Sequence, residues 1–153
     1  MTDETNKAWR KQAIDLAMSK GKSPEDTPIA AIIVLDRKIL ARAINQTEEL
    51  CDATAHAEMM GFRKAGNVHG NMDLRGATLY STLQPCGMCT MASIWAKVGR
   101  IVYGAARDDV HRMYFEDRHL DTMNFIKDAW RGFGVRGRMP KGTMRGSILQ
   151  AGR

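Results

Sequence analysis

Two short stretches hold side chains whose types and spacing can do chemistry: His56-Ala-Glu58 and Cys86-Gly-Met-Cys89. Three cysteines are too few, and odd in number, for a secreted disulfide scaffold, so the paired ones read as a metal or redox site. Cysteines at i and i+3 on a helix present both sulfurs on one face. A helix N-terminus favours the thiolate that a metal needs. One imidazole and two thiolates leave a fourth position open, the pattern of a catalytic rather than a structural zinc. Cys51, His69, His111 and His119 are the candidates for a closing fourth ligand. Cys51 reads instead as a small buried apolar residue, and the three histidines as surface or helix positions. His56 and Glu58 stand at i and i+2, which point apart in mid-helix. They face one ion only if they lie in a first turn, with the ion beyond the helix end.

The elements that must carry these residues alternate between strand and helix. Lys7 to Lys20 reads as an amphipathic helix with Ile14, Ala17 and Met18 on one stripe, ended by Gly21. Ile29 to Leu35 is an apolar run suited to a strand covered on both faces. Asp36-Arg37 suits a tight turn into a hairpin partner, Ile39 to Asn45. Thr54 can cap a helix to about Ala65, with Gly66-Asn67 as its end. Ala77–Leu83 reads as a strand, followed by a helix from about Cys86 to Lys97 that Pro85 introduces. Arg100 to Tyr103 reads as a fourth strand. Asp108–Met113 and Leu120–Trp130 read as helical, and Ser147–Leu149 as a possible short strand. This order predicts a three-layer α/β/α domain with a mixed sheet of about five strands. Both chemical helices then open at one end of the sheet, where α/β folds commonly bind ligands.

The chain has 153 residues, 44% hydrophobic and 26% charged, which suits one globular domain. No apolar run is long enough to span a bilayer, and the polar N-terminus lacks the apolar stretch of a signal peptide. The expected setting is cytoplasmic, with no membrane partner. The net charge of +6 is unevenly placed. Ala129 to Arg153 holds six basic residues, no acidic ones and six of the 14 glycines. The expected organisation is therefore a catalytic domain over 1–130 and a basic, glycine-rich segment over 131–153. Such a segment is either a solvated terminus or a grip on phosphates.

H-x-E followed by P-C-x-x-C is the signature of zinc deaminases. Through Thr54-Ala-His-Ala-Glu58 and Leu83-Gln-Pro-Cys-Gly-Met-Cys89, the chain resembles the cytidine deaminase-like superfamily over roughly residues 5–130. The resemblance implies a bound Zn²⁺ on His56, Cys86 and Cys89. It implies Glu58 as the group that moves protons during hydrolytic loss of an amino group. Zinc lowers the pKa of bound water to about 7, and a carboxylate beside that water can relay its proton. Amide N–H groups near Ala57 and Cys86 would steady developing charge. A redox dithiol is the rival reading; it would need neither His56 nor Glu58 and would hold no zinc.

Within the superfamily, Pro28, Asn45 and the two motifs resemble the branch of guanine deaminases and tRNA adenosine deaminases. In that branch the asparagine matching Asn45 touches the base. Tyr114-Phe115-Glu116-Asp117 resembles the guanine deaminase pattern, with Phe115 stacking on a ring and Asp117 accepting from its N–H edge. The leaning is thus toward a small-molecule nucleobase substrate, guanine or a related ring such as isocytosine, cytosine or a triazine, with adenosine in tRNA, or a nucleoside, as the alternative. The resemblance also implies a homodimer.

Overall fold

The computed structural model describes residues 3–110 and 134–136. Helix α1 spans Asp3–Lys20, followed by a short 3-10 turn at Pro24–Asp26. Strands β1 (Ala30–Leu35) and β2 (Lys38–Ile44) form an antiparallel hairpin. Asp36 and Arg37 both take positive φ, 49° and 62°, the twist that a two-residue hairpin turn requires. Then come α2 (Ala57–His69), β3 (Thr78–Leu83), α3 (Gly87–Trp95) and β4 (Arg100–Ala105). A three-residue strand, β5 (Gly134–Arg136), pairs parallel to β4. The sheet order is β2-β1-β3-β4-β5.

Period-two alternation divides each inner strand between two helical layers. Ile32, Val34, Tyr80 and Val102 pack with Ala13 of α1 on one face. Ala31, Ile33, Leu79 and Ile101 pack with Ala57 and Ala65 of α2 on the other. Covering both faces explains why β1 carries an unbroken apolar run and why every residue of β3 is buried. The expected three-layer α/β/α architecture and mixed sheet are what the structure has.

This topology positions the chemistry. β2 and β3 each run antiparallel to β1 and hence parallel to one another. The chain therefore leaves both at the same end of the sheet. α2 follows β2 after a loop and α3 follows β3 directly, so both helices start at that end.

Several boundaries differ from the sequence expectation. α1 begins at Asp3 rather than Lys7. α2 begins at Ala57 with His56, not Thr54, at its cap position. Thr54 is occupied elsewhere: its hydroxyl donates to Asp52 Oδ1 at 2.7 Å and accepts from Arg63 at 2.9 Å. α2 also runs through Gly66-Asn67 and stops at Gly70, whose φ of 68° supplies the left-handed turn that ends a helix. α3 is shorter than expected, ending at Trp95. β4 is two residues longer. Beyond it, Arg107–Asp109 forms a 3-10 turn and Val110 is extended, so the expected helix from Asp108 does not begin there. The expected helix Leu120–Trp130 and strand Ser147–Leu149 lie outside the described residues. No helix among the described residues is long and apolar enough to cross a membrane.

Candidate functional site

His56 precedes α2 with ψ at 152°, an extended conformation, and Glu58 lies in the first turn. The geometric demand of the i, i+2 pair is met in this way: one residue stands outside the helix and its neighbour inside. Cys86 takes the same position before α3, with ψ at 175°, and Cys89 lies in that helix's first turn. Neither His56 nor Cys86 uses its side chain to cap its helix. Both side chains are turned to one another instead.

His56 Nδ1 lies 3.7 Å from Cys86 Sγ and 3.7 Å from Cys89 Sγ. The three ligand atoms all fall within 4.8 Å of one another. A tetrahedral zinc, with Zn–N about 2.0–2.1 Å and Zn–S about 2.3 Å, sets nitrogen and sulfur about 3.6 Å apart. The observed spacing fits that ion, and the donor set of one imidazole and two thiols fits its chemistry. Among the described residues no other cluster of potential ligands forms. Cys51 does not close the set; it is exposed, not buried as its sequence context suggested, and its φ is 48°. His69 is exposed at the end of α2.

Glu58 is buried, with 3% exposure. Ser81 Oγ donates to its Oε1 at 2.9 Å, and the Cys89 thiol lies 3.5 Å from its Oε2. Burial pushes the Glu58 carboxyl up from its ordinary range, the Cys86 sulfur adding to the effect. Cys86 is pushed down to about 4, chiefly because the Cys89 thiol donates to it, with His56 alongside. Cys89 is pushed well up, because its proton is held against Cys86 and because it is buried. His56 is raised, chiefly by its hydrogen bond with Cys86. Two sulfurs and a carboxyl thus crowd one pocket that needs positive charge, supplied by protons or by a cation.

Ser81 was not singled out by sequence reasoning. Its signal is a hydroxyl at an odd-numbered position of β3, the face that Leu79 shows to be turned toward α2. Asn45 is buried just past β2, and the Gln46 N–H beside it donates to Ala55 O at 3.0 Å, next to His56. Ala57 opens α2 and is fully buried. Phe115 and Asp117 lie outside the described residues.

The profile of the cytidine and deoxycytidylate deaminase zinc-binding region matches residues 3–105. A tRNA-specific adenosine deaminase of Agrobacterium fabrum is 43% identical over 101 residues, 64% of this chain and 66% of that protein. Guanine deaminase of Bacillus subtilis is 34% identical over 115 residues, 75% of this chain and 74% of that protein. A structure from a study of A-to-I editing by tRNA:A34 deaminases at the wobble position of transfer RNA superposes with a TM-score of 0.67. Its sequence identity is 32%, covering 86% of this chain and 98% of that one. These identities do not support the leaning toward guanine deaminase drawn from residues 114–117. Fold, ligand geometry and profile agree, and the chain belongs to the cytidine and deoxycytidylate deaminase zinc-binding family.

Proposed function

We propose that the chain is a zinc-dependent hydrolase that deaminates adenosine to inosine in transfer RNA. The observation that carries the chemistry is a buried carboxyl, Glu58, in contact with a three-ligand His56/Cys86/Cys89 site. When bound, Zn²⁺ supplies a water acidic enough to act as a nucleophile near neutral pH. Glu58 would accept one proton from the attacking water and pass it to the ring nitrogen, then carry the second proton, from the hydroxyl so added, to the departing amine, which leaves as ammonia. Its raised pKa suits a group that must both accept and release a proton. Ser81 holds Oε1, which leaves Oε2 toward the ligand side. The N–H groups at the starts of α2 and α3, at Ala57 and beside Cys86, face the charge that builds on the ring. Asn45 contacts the base.

The choice of RNA rests on the tRNA-specific relatives and on the basic segment at Ala129–Arg153, which suits phosphate contacts. The similarity to guanine deaminase favours a second reading, a free nucleobase such as guanine, with Phe115 and Asp117 as ring contacts. Either enzyme would act as a homodimer.

Ammonia release by the zinc-loaded protein separates the two. The panel is a tRNA bearing adenosine at the first anticodon position, guanine, isocytosine, cytosine, adenine and their nucleosides. Turnover of the tRNA alone is expected. Turnover of a free base and not of tRNA would replace this reading with the second.

A further inference from the structure

The ammonium of Lys20, the last residue of α1, is not a surface charge; its side chain is only 11% exposed. Its three N–H bonds have three partners. Nζ donates to Asn45 O at 2.6 Å, to Thr27 Oγ1 at 3.2 Å and to Glu49 Oε1 at 2.9 Å. One side chain thereby ties the end of α1 to the turn before β1, the exit of β2 and the loop beyond it.

The same hydroxyls hold the Asn45 side chain. Asn45 Nδ2 donates to Thr27 Oγ1 and to Thr47 Oγ1, each at 3.0 Å. Thr27 Oγ1 sits between an ammonium, which can only donate, and the Asn45 amide nitrogen, and its two lone pairs accept both. Thr27 is itself held at φ 44°, a left-handed conformation that is costly for a β-branched residue and persists only where its surroundings enforce it. Both amide hydrogens of Asn45 are thus spent inside the protein. Its Oδ1 remains uncommitted among the described residues.

We propose that Lys20 is a positioning residue for ring recognition. It locks the Asn45 amide so that Oδ1 is offered as an acceptor, and the site selects rings presenting an N–H donor at that edge, which in adenosine is the exocyclic 6-amino group. The inference rests on Asn45 being the ring contact proposed above. Removing the ammonium frees Thr27 Oγ1 to donate to Oδ1 and lets the amide turn over. A nitrogen then faces the ring where an oxygen should.

The test compares Lys20→Met, which keeps the aliphatic stem, with Lys20→Arg, which keeps the charge, in the full zinc-loaded chain. Solvent exchange of the Asn45 side-chain amide protons, followed by proton–nitrogen NMR, reads the clamp without any turnover. Exchange is expected to quicken at least about tenfold in Lys20→Met, the scale of one hydrogen bond to a charged group. On whichever substrate is turned over, KM should rise by about as much with kcat changed less than about twofold. Zinc content should stay unchanged, and Lys20→Arg should recover part of both effects. Unaltered Asn45 exchange in Lys20→Met overturns the clamp. Faster exchange with unchanged KM, or a loss confined to kcat and melting temperature, reduces Lys20 to a structural tie. If no ring is turned over by the parent protein, the reading of Asn45 as a ring contact fails, while the exchange data still decide the clamp.

Discussion

Glu58 occupies a place that folding alone would give to an apolar side chain. It is buried between α2 and β3, and its carboxyl is raised by that burial. Ser81 and Cys89 satisfy it in part, but neither is a cation. A buried, perturbed carboxyl beside a ligand cluster supports the proposed role as proton carrier. Glu58→Gln keeps the shape and an oxygen for the Ser81 hydroxyl while removing the proton carrier. Zinc content should remain at one ion per chain, and ammonia release should fall by roughly 10²–10⁴-fold, the usual worth of general acid–base catalysis. Metal analysis beside a turnover assay checks both halves; substantial residual activity would move the proton to another residue. The three metal-binding residues, and the acid expected beside them, were legible in the sequence because a zinc site and the proton carrier proposed for it demand particular residue types at short, fixed separations. Ser81 was not. A serine in a strand carries no mark of what it faces until the register of β3 turns it toward α2.

Metal ligands also explain where element boundaries were misread. Helix starts are inferred from side chains that cap them, and Thr54 is a better cap than His56. Here the positions before α2 and α3 are given to His56 and Cys86, which cap nothing and turn toward the pocket. Gly66 illustrates the converse, a glycine tolerated inside α2 because the left-handed stop comes later, at Gly70. Gly70→Ala has open space around the added methyl, so its cost is conformational alone, about 1–2 kcal/mol, and thermal unfolding should show it. β5 was missed for a different reason: three residues, Gly-Val-Arg, are too few for any alternation to register. At the opposite end of the sheet from the metal centre, Asp73 ties two connections together. It accepts from Lys97 Nζ at 2.8 Å and from Arg75 NH2 at 3.1 Å. The Lys97 hydrogen bond, then Arg75, holds its carboxyl well below the usual range. A depressed folded-state pKa adds stability above the unfolded value of about 3.9, which is lost as pH falls through and below it. Asp73→Asn should therefore melt below the parent protein at pH 7, with the gap closing as pH drops beneath about 4. A gap that stays constant with pH would mean the interaction is not ionic in effect.

Over the whole molecule, charge is divided as sharply as the chemistry. All of the net +6 arises from Ala129 onward, whereas the family profile and the metal centre lie within residues 3–105. The described residues thus hold the candidate metal centre without supplying a strong field for a polyanion. Small nucleobases carry no phosphate and gain nothing from the excess; an RNA does, because each phosphate that is neutralised releases a condensed counterion. Substrate choice therefore has a signature separate from turnover. If the substrate is tRNA, the logarithm of its affinity should fall linearly with the logarithm of salt. Replacing Arg138, Lys141, Arg145 and Arg153 together by glutamine should flatten that line by about 0.7–0.9 for each phosphate no longer neutralised. kcat at saturating tRNA should be little altered, because these substitutions leave His56, Glu58, Cys86 and Cys89 in place. A parallel line with an unchanged slope would show that the basic segment does not touch the RNA. Turnover of guanine indifferent to salt and to all four substitutions, with no tRNA affinity, would place this chain among the free-base enzymes.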